Sequence, residues 1–318
     1  MSTPRRRHGY AALLAAAHDS PFIRYEIPEE LAHTWWEVPG GDAVAFRRIR
    51  HHPEHGARPG LVLMGSDAGV GRLVDHLPTL VASMLADERA ETVSISLPQH
   101  LEALVHKDFR VLGGGDWEWF YTTEQPPPVL GDDAVFPLDD VARREEGATF
   151  LEQHSPTADT APAGGERWYA IEREDGRLAA VTAYGTTAKG VPHLSSVAVD
   201  ASLRGRGLGR IIATVVTRVA VLEHGVCTLG MYSHNEVART LYRSLGYDNP
   251  NAWASRAVSP LHPVEPPSPA ESPSSAEPPH PSKGHEPPPQ RRREATSRDA
   301  KWPLDHLKPT SRGPSTGR

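Results

Sequence analysis

The feature that most constrains how this chain folds is a loop of glycine and arginine at residues 204–210. It has the sequence RGRGLGR, with three glycines and three arginines in seven residues. The alternating run HLSSVAV precedes it and predicts a strand, and an apolar stripe at helical spacing follows it and predicts a helix ended by Gly225. The stripe consists of Leu208, Ile211, Ile212, Val215, Val216, Val219 and Leu222.

A loop of this kind at a helix start predicts an anion site. The first backbone N–H groups of a helix have no partner within it, and the helix dipole adds positive potential. The segment does not match two familiar phosphate-binding patterns. Arg210 stands where the dinucleotide-binding pattern G-x-G-x-x-G needs glycine, and the Gly-Lys-Ser/Thr of a P-loop does not follow. We therefore expect a phosphate or pyrophosphate site of another type.

The rest of the second half predicts an α/β order. The segment VARREEGATFLEQH predicts a helix, and the strands RWYAIERE and RLAAVTAYG are joined at Asp175-Gly176, a hairpin turn signal. The strand VCTLGMYS follows the long helix, and a second helix ends at Gly246. The apolar face of that second helix consists of Ala238, Leu241, Tyr242 and Leu245.

The first half repeats this order of elements between residues 43 and 121. GVGR at 69–72 matches GLGR at 207–210, an offset of 138, and LVHKDF from residue 104 matches LYRSLGY from residue 241, an offset of 137. A nearly constant offset in two separate places predicts an internal duplication, with two copies in tandem.

Composition divides the chain into three parts. Residues 258–318 hold fifteen of the 31 prolines, together with many Ser, Glu and Arg residues. Such a segment buries too little apolar surface to offset its ordering entropy, so we predict a disordered Pro-rich tail. The expected domains are therefore 1–130, 131–257 and the tail 258–318.

Charge and cysteine content exclude several classes of function. A net charge of -6 argues against general nucleic-acid affinity, and Arg291–Arg293 is interpreted as a solvated cluster of the tail. The single cysteine, Cys227, excludes an internal disulfide, fits a buried strand and suits the reducing cytoplasm. No apolar run approaches the ~18 residues that a membrane span needs.

Two segments resemble a signal peptide and a metal site, and we assign neither role. The start MSTPRRRHGYAALLAAAHDS resembles a signal peptide, but its apolar part is short and His18 and Asp19 follow, so we predict an ordinary helix. HHPEH at His51–His55 offers metal-ligating side chains, but it lies near a strand-to-strand turn, and we predict no metal site.

The loop and the second helix together resemble the GNAT acetyltransferase superfamily. The family pattern Arg/Gln-x-x-Gly-x-Gly/Ala is met from Arg204 to Gly209, and Asn235 and Tyr242 keep the seven-residue spacing of a second family motif. The resemblance covers residues 136–258, roughly 120 residues. It implies a mixed central sheet flanked by helices, acetyl-CoA as acyl donor, and an amine acceptor on a small molecule or a protein.

The resemblance also implies roles for individual residues. Val197 and Val199 would pair with the pantetheine of the donor, the loop would hold its pyrophosphate, and Tyr242 would protonate the leaving thiolate. Asn235 accompanies Tyr242 or caps the helix, and Ser233 with Glu236 forms a competing capping box. The implied donor-binding residues are Val197, Ala198, Val199, Arg204, Gly205, Arg206, Gly207, Leu208, Gly209, Arg210 and Asn235.

The general base is left open because the sequence departs from the family here. Many members carry a glutamate where this chain has Ser195, a hydroxyl that would need a water relay. His193 lies on the same strand face as Ser195 and has a suitable pKa, and Glu172 on an earlier strand is a third candidate. Each of the three also fits an ordinary surface position.

The first half lacks the residues that would do chemistry. Its loop is about five residues shorter and keeps only Arg72, and Val105 stands where the second half has Tyr242. We expect a degenerate copy that packs beside the working half and shapes the acceptor pocket. The alternative to an N-acetyltransferase is a non-catalytic acyl-CoA-binding or regulatory protein, favoured by the missing glutamate.

Overall fold

A single mixed sheet runs through the folded part of the chain. In the computed structural model, the described residues are 3–52, 56–88, 90–155 and 166–261, and residues 1–268 group as one compact unit. The described α-helices are α1 (Tyr10–Ala16), α2 (Pro21–Glu26), α3 (Asp67–Val74), α4 (Leu77–Glu88), α5 (Val141–His154), α6 (Leu208–His224) and α7 (Glu236–Ser244). The strands are β1 (Arg5–Arg7), β2 (Trp35–Glu37), β3 (Ala43–His52), β4 (Gly56–Gly65), β5 (Val93–Pro98), β6 (Phe109–Thr122), β7 (Val135–Pro137), β8 (Arg167–Glu172), β9 (Leu178–Thr186), β10 (Pro192–Val199), β11 (Cys227–Tyr232) and β12 (Asp248–Pro260).

The strand order shows that the two halves share one topology. The order is β1-β2-β3-β4-β5-β12-β6-β11-β10-β9-β8-β7. Replacing each strand by the one six places away in the chain, such as β1 by β7 and β7 by β1, gives the same order read in reverse. Among the described strands, only β4–β5 and β10–β11 pair in parallel, and these two pairs correspond under the same exchange. The duplicated α/β fold expected from the repeated motifs is therefore present.

The halves exchange their last strands. β6, the last strand of the first half, pairs with β11 of the second half, and β12 pairs with β5 of the first half. β6 and β12 pair with each other at the centre of the sheet. The expected boundary near residue 130 therefore divides the sequence repeat between β6 and β7, while the sheet itself is continuous across it.

Helices cover both faces of the sheet. Neighbouring residues of one strand show this, because side chains alternate between the faces. On β6, Trp119 packs in the cluster with α1 and α2, whereas Phe120 packs with α6 and α7. A third cluster joins α3 and α4 to the sheet, and a fourth joins α5.

One boundary differs from the sequence expectation. β12 continues to Pro260, so residues 258–260 belong to the sheet and not to the tail, and residues 262–318 lie outside the described residues. Two helices, α3 and α4, follow β4, and α4 begins one residue before Pro78, because proline is favoured in the first turn of a helix. No described helix combines the length and the apolar character that crossing a bilayer requires.

Candidate active site

A bulge in β10 shapes the start of the site. The register of β10 against β9 shifts between Ser195 and Ala198, and Ser196 has a φ of 57°, which is rare for a residue other than glycine. The Thr182 hydroxyl donates to the Ser195 carbonyl at 2.9 Å across this bulge. The extra residue moves the side chains that follow it to the opposite face of the sheet, so that Val197 and Val199 pack towards α6.

The strands β10 and β11 separate at the same place. Their described parallel pairing covers His193 with Thr228 and Leu194 with Leu229, although β10 continues to Val199 and β11 to Tyr232. A gap therefore opens between the two strands beyond Leu194. Val197, Ala198 and Val199 lie on the β10 side of this gap, as the resemblance implied for a strand that pairs with an elongated ligand.

The glycine loop leads from β10 into α6. Gly205 and Gly207 have φ values of 77° and 84°, a conformation that L side chains rarely adopt, and Gly207 is the N-cap of α6. A Cβ at either glycine would meet no atom within 4 Å, so open space surrounds both. The first turn of a 17-residue helix thus presents its N–H groups beside an open loop, which is the arrangement that binds anions.

The three arginines of the loop differ in what they contact. Arg204 donates to the carbonyl of His154 at 2.8 Å, which fixes the loop against the end of α5. Arg210 donates to the Ser244 hydroxyl at 2.8 Å and thereby links α6 to α7. Arg206 is exposed, and its charge faces solvent beside the loop.

Tyr242 of α7 is buried against the β11 side of the site. Its side chain is 7% exposed and packs with the rings of Phe120 and Tyr247, at centroid distances of 6.3 and 5.8 Å. Burial raises the pKa of Tyr242, and the nearby Cys227 acts in the same direction. No described residue hydrogen-bonds its hydroxyl. The phenol is therefore protonated at neutral pH and has a proton to donate.

Asn235 serves as the N-cap of α7. Its side-chain oxygen accepts from the Ala238 amide at 3.1 Å. The competing capping box does not form, because the Ser233 hydroxyl accepts from Gln99 of the first half. Asn235 therefore fixes the start of the helix that carries Tyr242, which is an indirect contribution to the site.

A contact from the first half holds α7, and no sequence motif predicted it. Glu118 of β6 is 5% exposed and accepts from Arg239 of α7, with Nε at 3.0 and 3.1 Å from its two oxygens. Asn249 also donates to Glu118, and Arg239 donates to the Ser233 carbonyl. This carboxylate, which belongs to a strand of the other half, determines where α7 begins on the sheet.

His193 is the candidate base with the most suitable surroundings. The Thr228 hydroxyl donates to the Pro192 carbonyl at 2.8 Å, so it accepts from Nδ1 of His193 at 3.0 Å. The neutral ring therefore carries its proton on Nδ1 and offers Nε2 as acceptor. Burial lowers the pKa of His193 below 6.5; the charge of Glu26 opposes this shift and that of Arg48 adds to it.

The other two base candidates lie in different places. Ser195 lies beside the bulge, opposite Ala183 of β9, on the same face as His193. Glu172 is exposed, forms an ion pair with Arg143 and lies opposite Leu178, at the other end of β9 from the His193 pairing. The seven residues of strand between these levels span about 23 Å, so the structure does not bring Glu172 to His193.

The corresponding place in the first half is closed by its own side chains. The Ser66 hydroxyl caps α3 by accepting from the Gly69 amide at 3.0 Å, and the Asp42 carboxylate binds both Ser66 and Arg72. These hydrogen bonds lower the pKa of Asp42. The pairing of β3 with β4 continues without a register shift, and Val105 is fully buried. An internal carboxylate therefore occupies the helix start that the second half leaves open.

No metal-binding group is evident among the residues that the structure describes. No three His, Cys, Asp or Glu side chains of those residues are grouped to hold an ion. Residues 53–55 of the HHPEH segment lie outside them. Cys227 is buried, and burial raises the pKa of its thiol to about 12, which agrees with a strand thiol that is not a nucleophile.

Solved structures of acetyltransferases are similar to this chain at low sequence identity. A GCN5-related N-acetyltransferase from Sphaerobacter thermophilus is 17% identical, with 72% of this chain and 81% of that chain covered and a TM-score of 0.46. One from Kribbella flavida is 18% identical, with coverages of 81% and 98% and a TM-score of 0.45. A tandem GNAT protein from the clavulanic acid biosynthesis pathway is 13% identical, with coverages of 73% and 83% and a TM-score of 0.41.

Sequence comparison identifies the domain that carries the site. No curated protein matches the chain in a sequence search. The family model described as the acetyltransferase (GNAT) family matches residues 135–247, which include the bulged β10, the glycine loop and Tyr242. The chain therefore carries, at residues 135–247, a domain of the GNAT acetyltransferase family.

Proposed function

We propose that this protein is an N-acetyltransferase that moves an acetyl group from acetyl-CoA to an amine and works through its second half. The observation that carries the proposal is the contrast between the two halves. The second half has a bulged strand, a gap between β10 and β11 and an open glycine loop, whereas the first half fills the same place with Asp42.

The donor would lie along the gap and end at the loop. The backbone groups of Val197, Ala198 and Val199 on β10 suit the amides of a pantetheine chain. The amides from Gly205 to Arg210 suit its pyrophosphate, and the exposed Arg206 adds positive charge. Arg204 and Arg210 act on this site by holding the loop and α6 in place.

Transfer would proceed by direct attack of the amine. The acceptor nitrogen adds to the thioester carbonyl, the C–S bond breaks, and the CoA thiolate takes a proton from the Tyr242 hydroxyl. His193, with Nε2 as acceptor, would take the proton that the amine loses. Ser195 on the same strand face would hold a water between the amine and Nε2 of His193.

The proposal is tested by incubating the full chain with acetyl-CoA and a panel of amines and measuring thiol release. Mass spectrometry would then identify an acetylated amine. Binding of acetyl-CoA is measured separately by calorimetry. Binding without thiol release from any amine would favour a non-catalytic acyl-CoA-binding protein, and absence of binding would reject both.

A further inference from the structure

A buried ion pair of the first half lies close to His193 of the second half. Glu26, the last residue of α2, accepts from Arg48 of β3 at 2.6 Å, between Oε1 and Nη2. The two side chains are 12% and 17% exposed. Arg48 also lies over the rings of Phe22 and Trp117, 5.6 and 5.0 Å from their centroids. The pair is thus largely withdrawn from water and has one aromatic wall.

Each partner of this pair keeps one buried polar atom without a protein partner. Oε2 of Glu26 and Nη1 of Arg48 are both buried, and no described residue hydrogen-bonds either atom. Burying two charges is costly, and their attraction offsets that cost only when the remaining donors and acceptors are also satisfied. A ligand that supplies one donor and one acceptor would complete this pair.

The surroundings place the pair on the acceptor side of the site. Tyr25, the neighbour of Glu26, has its ring 5.8 Å from the ring of Tyr121, which lies opposite Thr228, the residue that accepts from His193. The charges of Glu26 and Arg48 both act on the His193 ring. The turn between β9 and β10 is held to the first half at the same place. The Thr187 hydroxyl donates to the Tyr25 carbonyl at 2.9 Å, and the Lys189 ammonium lies 3.9 Å from the centre of the Tyr10 ring.

We propose that Glu26 and Arg48 recognise the acceptor, and that this acceptor is a small α-amino acid. The inference rests on the acetyltransferase function proposed above. Oε2 of Glu26 accepts from the amino group, and Nη1 of Arg48 donates to the carboxylate one carbon away. The two atoms belong to one ion pair, whose other atoms, Oε1 and Nη2, lie 2.6 Å apart, so a ligand that meets both must carry its amino and carboxylate groups close together.

The protons of the transfer balance between His193 and Tyr242. The neutral amino group gives one proton to Nε2 of His193, and its nitrogen forms the new bond to the acetyl carbon. The bond from that carbon to sulfur breaks, and the thiolate takes its proton from Tyr242. The His193 imidazolium then returns a proton through solvent to the Tyr242 phenolate, which restores both groups. The products are the N-acetyl amino acid and free CoA.

The test compares α-amino acids with the matching amines that lack the carboxylate and with the matching amino-acid amides. For the native protein we expect kcat/KM to be at least ~100-fold higher for the amino acid than for its decarboxylated amine, because that amine leaves Arg48 unpaired. The variant Arg48→Gln should remove this preference, mainly through KM for the amino acid. Its KM for acetyl-CoA should stay close to the native value.

Control variants separate recognition from folding. Arg24→Gln changes an exposed arginine of the same helix and should keep the full preference. Glu26→Gln with Arg48→Gln replaces the ion pair by a neutral pair, and it should bind acetyl-CoA with native affinity while losing the preference. The proposal is overturned if the native enzyme acetylates amines without regard to the carboxylate, or if Arg48→Gln retains the preference. The first result leaves the acetyltransferase function intact, whereas absence of turnover with every amine removes both.

Discussion

The second half has a phenol at the position of the repeat where the first half has an aliphatic side chain. Tyr242 and Val105 are both buried in the cores beside their glycine segments, so packing alone does not distinguish them. What the second half adds is a phenol whose pKa burial raises and whose proton is retained at neutral pH. A residue kept only for packing needs no such group.

Replacing Tyr242 by phenylalanine tests that difference. The ring and its contacts with Phe120 and Tyr247 remain, so we expect kcat to fall by about 100-fold or more while KM for acetyl-CoA stays near the native value. The measurement is steady-state thiol release at saturating amine. A kcat within twofold of native would show that another group protonates the thiolate.

The second prediction at the residue scale concerns pH and His193. Burial holds the folded pKa of His193 below 6.5, so the neutral base predominates at pH 7, and this contribution to kcat/KM should fall only as the pH drops through that lowered pKa. The variant His193→Gln keeps a donor towards Thr228 but should lose this limb, with kcat about 10 to 100-fold lower. The pH profile of kcat/KM for both proteins measures it, and the limb from the amine's own protonation is common to both.

The same shift affects stability with a defined sign. Between the folded pKa of His193 and 6.5, the unfolded chain binds more protons than the folded chain, so the unfolding free energy falls as the pH falls through this window. Urea unfolding of native protein and His193→Gln at pH 7 and pH 5 should show a smaller loss in the variant. Equal losses would mean that the histidine titrates alike in both states.

At the scale of elements, the glycine loop depends on backbone conformation that only glycine adopts easily. Gly207 has a φ of 84° at the N-cap of α6, so Gly207→Ala should cost about 1–2 kcal/mol and raise KM for acetyl-CoA several-fold by moving the first amides of the helix. Gly71→Ala in α3 is the matched control, because its φ is not positive and its Cβ meets nothing within 4 Å. The control should keep the native KM, and a normal KM in both would remove the loop from donor binding.

The placement of α7 gives a prediction that crosses between the halves. Glu118→Gln weakens the buried contact with Arg239, so we expect kcat to fall several-fold at little-changed KM and the Tm to drop by about 4 °C or more. Glu236→Gln removes an exposed partner of the same arginine and should leave both values near native. If the two variants behave alike, Glu118 does not position α7.

Local patterns predicted the elements well where the signal is local. α5 has the bounds of the segment VARREEGATFLEQH, and Asp140 caps it by accepting from Arg143 at 2.8 Å. The full length of β12 was not predicted, because the Pro-rich segment begins near its end and because its partners β5 and β6 lie far from it in the sequence. The proximity of Glu26 and Arg48 to His193 was not predicted either, because it depends on the exchanged strands that join the two halves.

At the scale of the molecule, the sheet depends on its last strand. Ending the chain after Tyr247 removes β12 and leaves β5 and β6 each with one open edge, so we expect an insoluble or self-associating product. Ending it after Leu261 keeps β12 and should retain the native Tm and turnover. Circular dichroism, gel filtration and thiol release on both products measure this, and a folded, monomeric product ending at Tyr247 would contradict it.

The exchanged strands also set an order of events during synthesis. The two strands that flank β6 in the sheet, β11 and β12, leave the ribosome after it. β6 therefore emerges as a long strand with two open edges and waits for more than a hundred residues before either edge is covered. Such a nascent chain exposes a template for pairing with other chains, so the cell that makes this protein must protect its middle segment until translation has passed residue 260.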